Sequence, residues 1–467
     1  PQVGLAHETG WSIFVAISIS NIWYLYNAAL RRGAEQWSSP ARLRQLRARR
    51  LYRLAERAWK LPYYRESIAR AEVQLDDFQD EAVLQQLPFL TKPILQERFD
   101  RAGLANDAGF EVVTSGSTGE PHGVFRTDRD QAQISAVWDR LFVAFGRRRR
   151  DRQVNIGSGR PIGKQGPVAM LRHLGVLPPL HQLSSFDPVE KQIGLLRRVQ
   201  PHMISSYAVA LEDLSEAVLD AGVRDIRPRL VYSSAMALSD RCRRLCQEAF
   251  GVRPLDVYAT VEIGPVAWEC PRRPGALHLN DDVQIVEVVD VDGQPLPDGT
   301  VGEIVITQLN CFAQPLIRYR IGDLGYRIAG PCSCGRGLGL LGPVVGRTKH
   351  TIRTTDGRML NSAVVGSCIS PFREVRRWQA RQFATDALRV LLVPTREWSE
   401  GSLEQIRLSL QSKLGGSLEV ELELVSEIPL APNGKVQTIV PLDSFAAATA
   451  PAPRFDWRSP SEDADSA

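Results

Sequence analysis

Residues 114–120 read TSGSTGE, the most chemically specific stretch of the chain. Thr114, Ser115, Ser117 and Thr118 set four hydroxyls around Gly116 and Gly119. Glycines let a backbone turn without Cβ clashes and come close to a ligand. Hydroxyls and unpaired backbone N–H groups in such a loop make a concave anion site suited to phosphate. The apolar run FEVV (110–113) before it and GVFRT (123–127) after it read as strands, so a strand–loop–strand hairpin is expected. That is not the GxxxxGKS/T loop-then-helix of P-loop NTPases. Ser, Thr and Gly also serve plain turn formation, so the meaning of the loop rests on the motifs that accompany it.

A chain of 467 residues exceeds one typical core, and two or more domains are expected. The apolar share of 43% and charged share of 24% fit an ordinary soluble globular protein. A net charge of +4 is too small to argue for nucleic acid. Seven cysteines at uneven spacings do not make a disulfide scaffold and point to a reducing, cytoplasmic location. Basic residues crowd 31–60, where ten Lys and Arg face only Glu35 and Glu56, and again at Arg147–Arg150. Both runs read as a solvated helix face and a loop. Residues 11–30, WSIFVAISISNIWYLYNAAL, are uncharged and about long enough to span a bilayer. Their Ser and Asn residues and the Trp23–Tyr24–Tyr26 cluster favour a docked helix over membrane contact.

Along the chain, 1–40 is an apolar then basic segment, and 41–60 an amphipathic helix burying Leu43, Leu46, Leu51, Leu54, Ala58 and Trp59. PFLTKPIL (88–95) is a connector in which Thr91 caps a helix starting at Pro93. From 110 to about 330, β-like runs alternate with helical patterns, the signature of an α/β domain. Residues 283–308 read as an antiparallel pair around DGQPLPDG. The large domain is expected to run 41–345, with mixed sheets and helices. A small α+β domain follows at 346–445, and 446–467 form a disordered low-complexity tail.

Further motifs follow in order. YATVEIG (258–264) comes directly after a buried strand, where α/β ligand sites gather. Tyr258 there can stack on a base and Glu262 can hold a divalent cation beside phosphate. In PLIRYRIGDLGYR (315–327), Asp323 can accept hydrogen bonds from ribose hydroxyls, or can pair structurally with Arg318 or Arg320. GRTKH (346–350) lies at the domain join, and PNGKVQT (432–438) presents Lys435 on a turn. A lysine so placed can swing over developing negative charge.

Taken together, these motifs resemble those of the acyl-adenylate-forming superfamily, in its phenylacetate–CoA ligase branch with the capsule-biosynthesis relatives. The matching residues are TSGSTGEP (114–121), YATVEIG (258–264), PLIRYRIGD (315–323), CSCGR (332–336), GR (346–347) and PNGK (432–435), and the resemblance covers about 20–445. It implies that a carboxylate attacks the α-phosphate of Mg·ATP, releasing pyrophosphate, and that a thiol or amine then takes the acyl group. It implies that residues 114–119 hold the β- and γ-phosphates, that Tyr258 lies beside adenine, that Glu262 binds Mg²⁺ and that Asp323 binds ribose. Arg347 would contact the nucleotide, Lys349 would be the hinge residue, Lys435 would stabilise the adenylation transition state, and Tyr207 would line the acyl pocket. The sequence departs from the pattern at Glu120, where Lys is common, at Met236, where Glu is common, and at Ala259 and Val261.

Cys270 and His278, with Cys332 and Cys334 in PCSCGRG, supply three thiolates and an imidazole, a donor set that satisfies tetrahedral Zn²⁺. Some members of the branch carry a site at these positions, and a closed four-ligand site is structural. The functional expectation is an ATP-dependent ligase that activates an aromatic or other small carboxylic acid and passes it to coenzyme A. An amine or carrier-protein thiol is the alternative acceptor. Two further alternatives are a nucleotidyltransferase that leaves AMP on its substrate and a degenerate membrane-associated scaffold.

Overall fold

The structure, a computed structural model, describes residues 28–99, 104, 110–113, 123–148, 150–157, 180–357, 359–415, 418–430 and 436–442. They form two units, divided between Val344 and Val345. In the first, Ser39 caps helix α1 (Pro40–Ala58), its Oγ accepting from Arg42 N at 3.3 Å, with Pro40 at the first helical position. The heptad-like spacing of Leu43, Leu51, Leu54, Ala55 and Ala58 buries one face. Trp59, expected on that face, is instead the exposed C-cap. Helices α2 (Pro62–Arg70) and α3 (Lys92–Glu97) follow. Thr91 is the N-cap of α3, although its side chain makes no capping bond.

Strands β1 (Phe110–Val113) and β2 (Gly123–Arg126) pair antiparallel, Val113 against Gly123, as the two arms of the expected hairpin. The loop residues Thr114 to Gly119, and Glu120, lie outside the described residues. Helix α4 (Asp128–Ala144) opens on a reciprocal cap: Thr127 Oγ1 accepts from Asp130 N at 3.2 Å, and Asp130 Oδ2 accepts from Thr127 N at 2.9 Å. Then come β3 (Gln153–Gly157), β4 (Leu180–Ser184), α5 (Val189–Val199), β5 (Met203–Ser206), α6 (Ala208–Asp220), β6 (Leu230–Ser234), α7 (Asp240–Phe250), β7 (Leu255–Thr260), β8 (Gly264–Cys270) and β9 (Arg273–Leu279).

These strands build a nine-stranded sheet whose order is β4-β3-β5-β6-β7 in parallel, continued antiparallel by β8, β9 and two short strands, β14 (Leu340–Leu341) and β13 (Arg327–Ile328). On one face Val154, Ile156, Ile204 and Val231 pack against Leu196, Leu211, Cys246 and Phe250 of α5–α7. On the other, Met203, Tyr232 and Val257 pack against Leu141, Trp138 and Phe142 of α4. Helices on both faces of a largely parallel sheet make this the expected α/β class. A second, antiparallel sheet joins β10 (Gln284–Val289), β11 (Gly302–Gln308) and β12 (Tyr319–Gly325), and its inner side shares a core with Leu51, Leu54, Tyr64 and Phe78.

The basic run at 31–60 is not simply solvated. Arg42, Arg44 and Arg49 are exposed, but Arg32 is buried, and Arg32 and Arg140 both pair with Asp282, at 3.2 and 2.8 Å. Arg50 donates to the Asp282 carbonyl and pairs with Glu35 at 2.7 Å. Burial alone would raise the Asp282 pKa, but Arg140, Arg32 and Arg50 outweigh it and hold the carboxyl below its ordinary value.

In the second unit, β15 (Gly346–Arg347) and the hairpin of β16 (Ile352–Arg353) and β17 (Met359–Leu360) precede α8 (Ser362–Ile369). A four-stranded sheet follows in the order β20-β19-β18-β21, made of β18 (Val375–Ala384), β19 (Ala387–Pro394), β20 (Glu419–Leu424) and β21 (Ile439–Val440). Helix α9 (Glu400–Leu414) joins β19 to β20, and Val365, Ile369, Ala380, Leu388, Val390, Ile406 and Leu410 form one core. Among the described residues no helix is long and apolar enough to cross a membrane. Residues 11–27 and the tail 446–467 lie outside the described residues.

Candidate active site and metal centre

Strand β7 ends at Thr260 and β8 begins at Gly264, so Val261, Glu262 and Ile263 form a three-residue turn at the carboxyl end of the last parallel strand. Only glycine suits the closing position. Gly264 has φ +85°, and a Cβ there would lie 2.7 Å from Ile134 Cγ2. Both sides of the turn are held from behind. Ile263 N donates to Thr260 Oγ1 at 3.2 Å, and the Ile263 carbonyl accepts from Gln308 Nε2 at 2.8 Å. The carbonyls of Val261 and Glu262 accept from Arg126 Nη2 at 2.6 and 3.0 Å. The Glu262 side chain is half-buried, with the Tyr319 hydroxyl 3.4 Å from Oε1.

Beside the turn, Tyr258 O–H donates to Asp323 Oδ2 at 2.9 Å, and both residues are buried. The structure thus brings together Tyr258 of β7 and Asp323 of β12, 65 positions apart. Neither Arg318 nor Arg320 takes the carboxylate, as one reading of the sequence allowed. Arg318 pairs with Glu287 at 3.1 Å, donates to Leu87 O at 2.9 Å and stacks over Phe89, while Arg320 pairs with Glu303. The arginines point to residues 85–90 and to β10 and β11; Arg318 is left-handed at φ +50° and Leu90 bridges Tyr319. That geometry leaves Asp323 on the Tyr258 side.

The four predicted metal ligands converge. Cys270 ends β8, His278 lies in β9, and Cys332 and Cys334 sit in the loop between β13 and β14. All four are buried, and their donor atoms lie within 4.8 Å of one another. Cys270 Sγ and Cys332 Sγ are 3.6 Å apart, and Cys334 Sγ and His278 Nε2 3.2 Å. A tetrahedral ion with Zn–S of about 2.3 Å and Zn–N of about 2.0–2.1 Å requires S···S of roughly 3.8 Å and S···N of roughly 3.6 Å. The observed pairs lie within a few tenths of these distances, so the donor set fits the ion.

Burial, aided by Arg336, pushes the His278 pKa down to about 4, so the ring is neutral, the form that ligates. Its Nδ1 is buried without a hydrogen bond of normal geometry, although the Leu338 backbone acts on the ring. Burial pushes the Cys270 thiol up to about 11. Burial also raises Cys334, but hydrogen bonds from the backbone and guanidinium of Arg336 outweigh that and leave it lowered. Arg336 Nη1 stands 3.4 Å from Cys334 Sγ, and the guanidinium lies over Trp37 and Trp268. Behind the site, fully buried Glu269 accepts from Arg243, Arg253, Asp256 N and Gly275 N and ties β7, β8 and β9 together.

Of the remaining expected residues, Tyr207 follows β5 and is the N-cap of α6. The parallel order reverses between β3 and β5, so Tyr207 stands at the switch point where α/β ligands bind. Met236 lies two residues beyond β6, after Ala235, a non-glycine residue at φ +69°. Arg347 and Lys349 are exposed in the second unit. Lys435 lies outside the described residues. The sequence reading passed over Arg126, Tyr319 and Gln308. Tyr319 and Arg126 lie within or beside quoted motifs, but nothing in their spacing marks them as partners of a turn at 261–263.

Known structures share this architecture. The 2-hydroxyisobutyryl-CoA ligase in its postadenylation state with 2-HIB-AMP superimposes with a TM-score of 0.70 at 18% identity, over 86% of this chain and 90% of that one. The fold is that of the acyl-adenylate-forming ligases. In sequence, the chain is 32% identical over 319 residues to a phenylacetate-coenzyme A ligase of Thermus thermophilus, covering 66% of this chain and 71% of that protein. It is 31% identical to a phenylacetate-coenzyme A ligase of Pseudomonas putida with the same coverage, and 22% identical to Protein CapK of Staphylococcus aureus over 76% of this chain and 79% of that protein. Residues 352–441 match the CapK C-terminal domain family. The chain belongs to the phenylacetate–coenzyme A ligase family and is an acyl-adenylate-forming ligase.

Proposed function

We propose that this enzyme activates an aromatic or other small carboxylic acid with ATP and transfers the acyl group to coenzyme A. The buried Tyr258–Asp323 hydrogen bond beside the Glu262 turn is the observation that carries the reading. Tyr258 presents a ring for the adenine, and its hydroxyl orients Asp323 as an acceptor for ribose hydroxyls. Glu262 offers a hard carboxylate oxygen next to the strand that leaves the 114–119 loop. That donor suits Mg²⁺, which takes one or two carboxylates plus substrate phosphates. Mg²⁺ held there would supply neutralisation of phosphate charge. In the first half-reaction the substrate carboxylate oxygen forms its bond to the α-phosphorus and the pyrophosphate oxygen leaves. In the second half-reaction the CoA thiolate bonds to the acyl carbon and AMP departs.

Residues 114–119 are assigned to the β- and γ-phosphates, Arg347 to the nucleotide, Lys349 to the hinge and Lys435 to the adenylation transition state, all by motif position. Tyr207 is assigned to the acyl pocket. Cys270, His278, Cys332 and Cys334 would hold a structural Zn²⁺, since four protein donors leave no position for substrate. An amine or a carrier-protein thiol is the alternative acceptor. The test is carboxylate-dependent ATP–pyrophosphate exchange over a panel of acids, followed by AMP release with coenzyme A, amines or carrier protein. Exchange with one acid class, lost by orders of magnitude in Lys435→Ala with the fold kept, supports the reading. Folded, zinc-replete protein that exchanges with no acid overturns it.

A further inference from the structure

We infer that Arg126 is a positioning residue for Glu262, so that the exit strand of the 114–119 loop and the carboxylate assigned to the cation move as one piece. The inference rests on the role proposed for Glu262. Arg126 is the last residue of β2, and only 3% of it is exposed. Its guanidinium makes three contacts: Nη1 donates to Gln131 Oε1 at 3.2 Å, and Nη2 to the carbonyls of Val261 at 2.6 Å and Glu262 at 3.0 Å. The two carbonyls flank the Glu262 residue in the chain, so binding both fixes the peptide planes on either side of its Cα. Those planes set the direction in which the carboxylate projects.

Thr260 Oγ1 accepts from Ile263 N, in the same peptide as the Glu262 carbonyl, and the Tyr319 hydroxyl stands 3.4 Å from Glu262 Oε1. Arg126 differs in holding the carbonyls on both sides of the Glu262 Cα, whereas Gln308 holds the Ile263 carbonyl and Asp130 the backbone at Phe312 and Ala313. A planar fork with five fixed donors can satisfy Gln131 and two carbonyls at once. A lysine ammonium keeps the charge and most of the stem but is a point donor without the fork, so Arg126→Lys preserves burial and removes the geometry. Arg126→Met removes the donors as well and leaves both carbonyls short of a partner.

The experiment uses the full chain and three readouts. Mn²⁺ is titrated by electron paramagnetic resonance in the presence of α,β-methylene ATP, the thermal midpoint is recorded, and ATP–pyrophosphate exchange is followed against Mg²⁺. Arg126→Lys is expected to bind Mn²⁺ with the nucleotide about ten-fold more weakly at an essentially wild-type midpoint, and to shift the Mg²⁺ dependence of exchange by a similar factor. Combined with Glu262→Gln, which removes the carboxylate itself, Arg126→Lys should add no further loss of Mn²⁺ affinity, because both act through one group. Wild-type Mn²⁺ affinity in folded Arg126→Lys overturns the inference, as does a fully additive double variant. Should Arg126→Met fail to fold, Arg126→Lys alone decides. Failure of the ligase reading looks different: wild-type protein then binds Mn²⁺ with the nucleotide yet shows no carboxylate-dependent exchange.

Discussion

Removing the zinc proposed for the Cys270–His278–Cys332–Cys334 cluster should loosen one corner of the large unit by an amount that can be set beforehand. Four buried donors converge within 4.8 Å of one another, two of the pairs at 3.6 and 3.2 Å, a donor set suited to a tetrahedral ion. An ion that binds the folded chain and not the unfolded one stabilises it by RT ln(1 + [metal]/Kd), about 4 kcal/mol at free zinc a thousand-fold above Kd. At about 2–4 °C per kcal/mol for units of 150–250 residues, chelation should lower the midpoint by roughly 8–16 °C, toward the lower end for a unit of this size. The assay is calorimetry of protein as purified, after chelation, and after zinc is restored, with metal content measured on the same samples. Cobalt-loaded protein should also show the intense visible bands of a tetrahedral thiolate site, and Cys334→Ser should weaken them. Less than about half an equivalent of metal after gentle purification, with a midpoint indifferent to chelator, would refute the reasoning.

Three further outcomes follow from the geometry. Tyr258→Phe strips Asp323 of a charge-assisted hydrogen bond worth about 1.5–3 kcal/mol; the KM for ATP should rise roughly ten-fold or more, and an unchanged KM would remove Asp323 from the nucleotide. Gly264→Ala puts a Cβ 2.7 Å from Ile134 Cγ2 at φ +85° and should cost about 1–3 kcal/mol in urea unfolding, with Ile134→Ala recovering the contact share and not the backbone share. Asp282→Asn leaves Arg32 and Arg140 without their buried counter-charge and should cost about 3–5 kcal/mol at neutral pH. Because the folded Asp282 pKa is depressed, that contribution is present above the unfolded value of about 3.9 and fades as pH falls through the folded value. The gap between wild type and variant should therefore close in acid, and a gap constant down to about pH 2 would contradict the assignment.

Local order was legible in the sequence and long-range pairing was not. The hairpin arms at 110–113 and 123–126 follow from short apolar runs flanking a glycine-rich loop, which act over a few residues; YATVEIG, read as following a buried strand, instead begins inside it, since that strand runs to Thr260. The convergence of the four candidate ligands could be read because Cys and His are rare and chemically specific, even split between 270–278 and 332–334. What Arg318, Arg320, Arg32 and Arg126 bind could not be read in the same way. A long side chain's partner is set by the register of strands far apart in sequence, and Arg318 reaches Glu287 and Leu87 from a left-handed backbone. The basic run at 31–60 misled for a related reason: Asp282, which neutralises Arg32, lies 250 positions away.

The bridge between Leu90 and Tyr319 also fixes the order of events at the ribosome. The core under α1 and α2 is closed by residues between Tyr258 and Leu341, so the N-terminal helices emerge without the surface they are built to cover. Tyr319 is made about 230 positions after Leu90, which at roughly 5–20 residues per second is a wait of about ten to fifty seconds. Throughout that interval Leu51, Leu54, Tyr64 and Phe78 have neighbours such as Ile68, Val83 and Leu84 but lack the sheet residues from Tyr258 onward that complete their core.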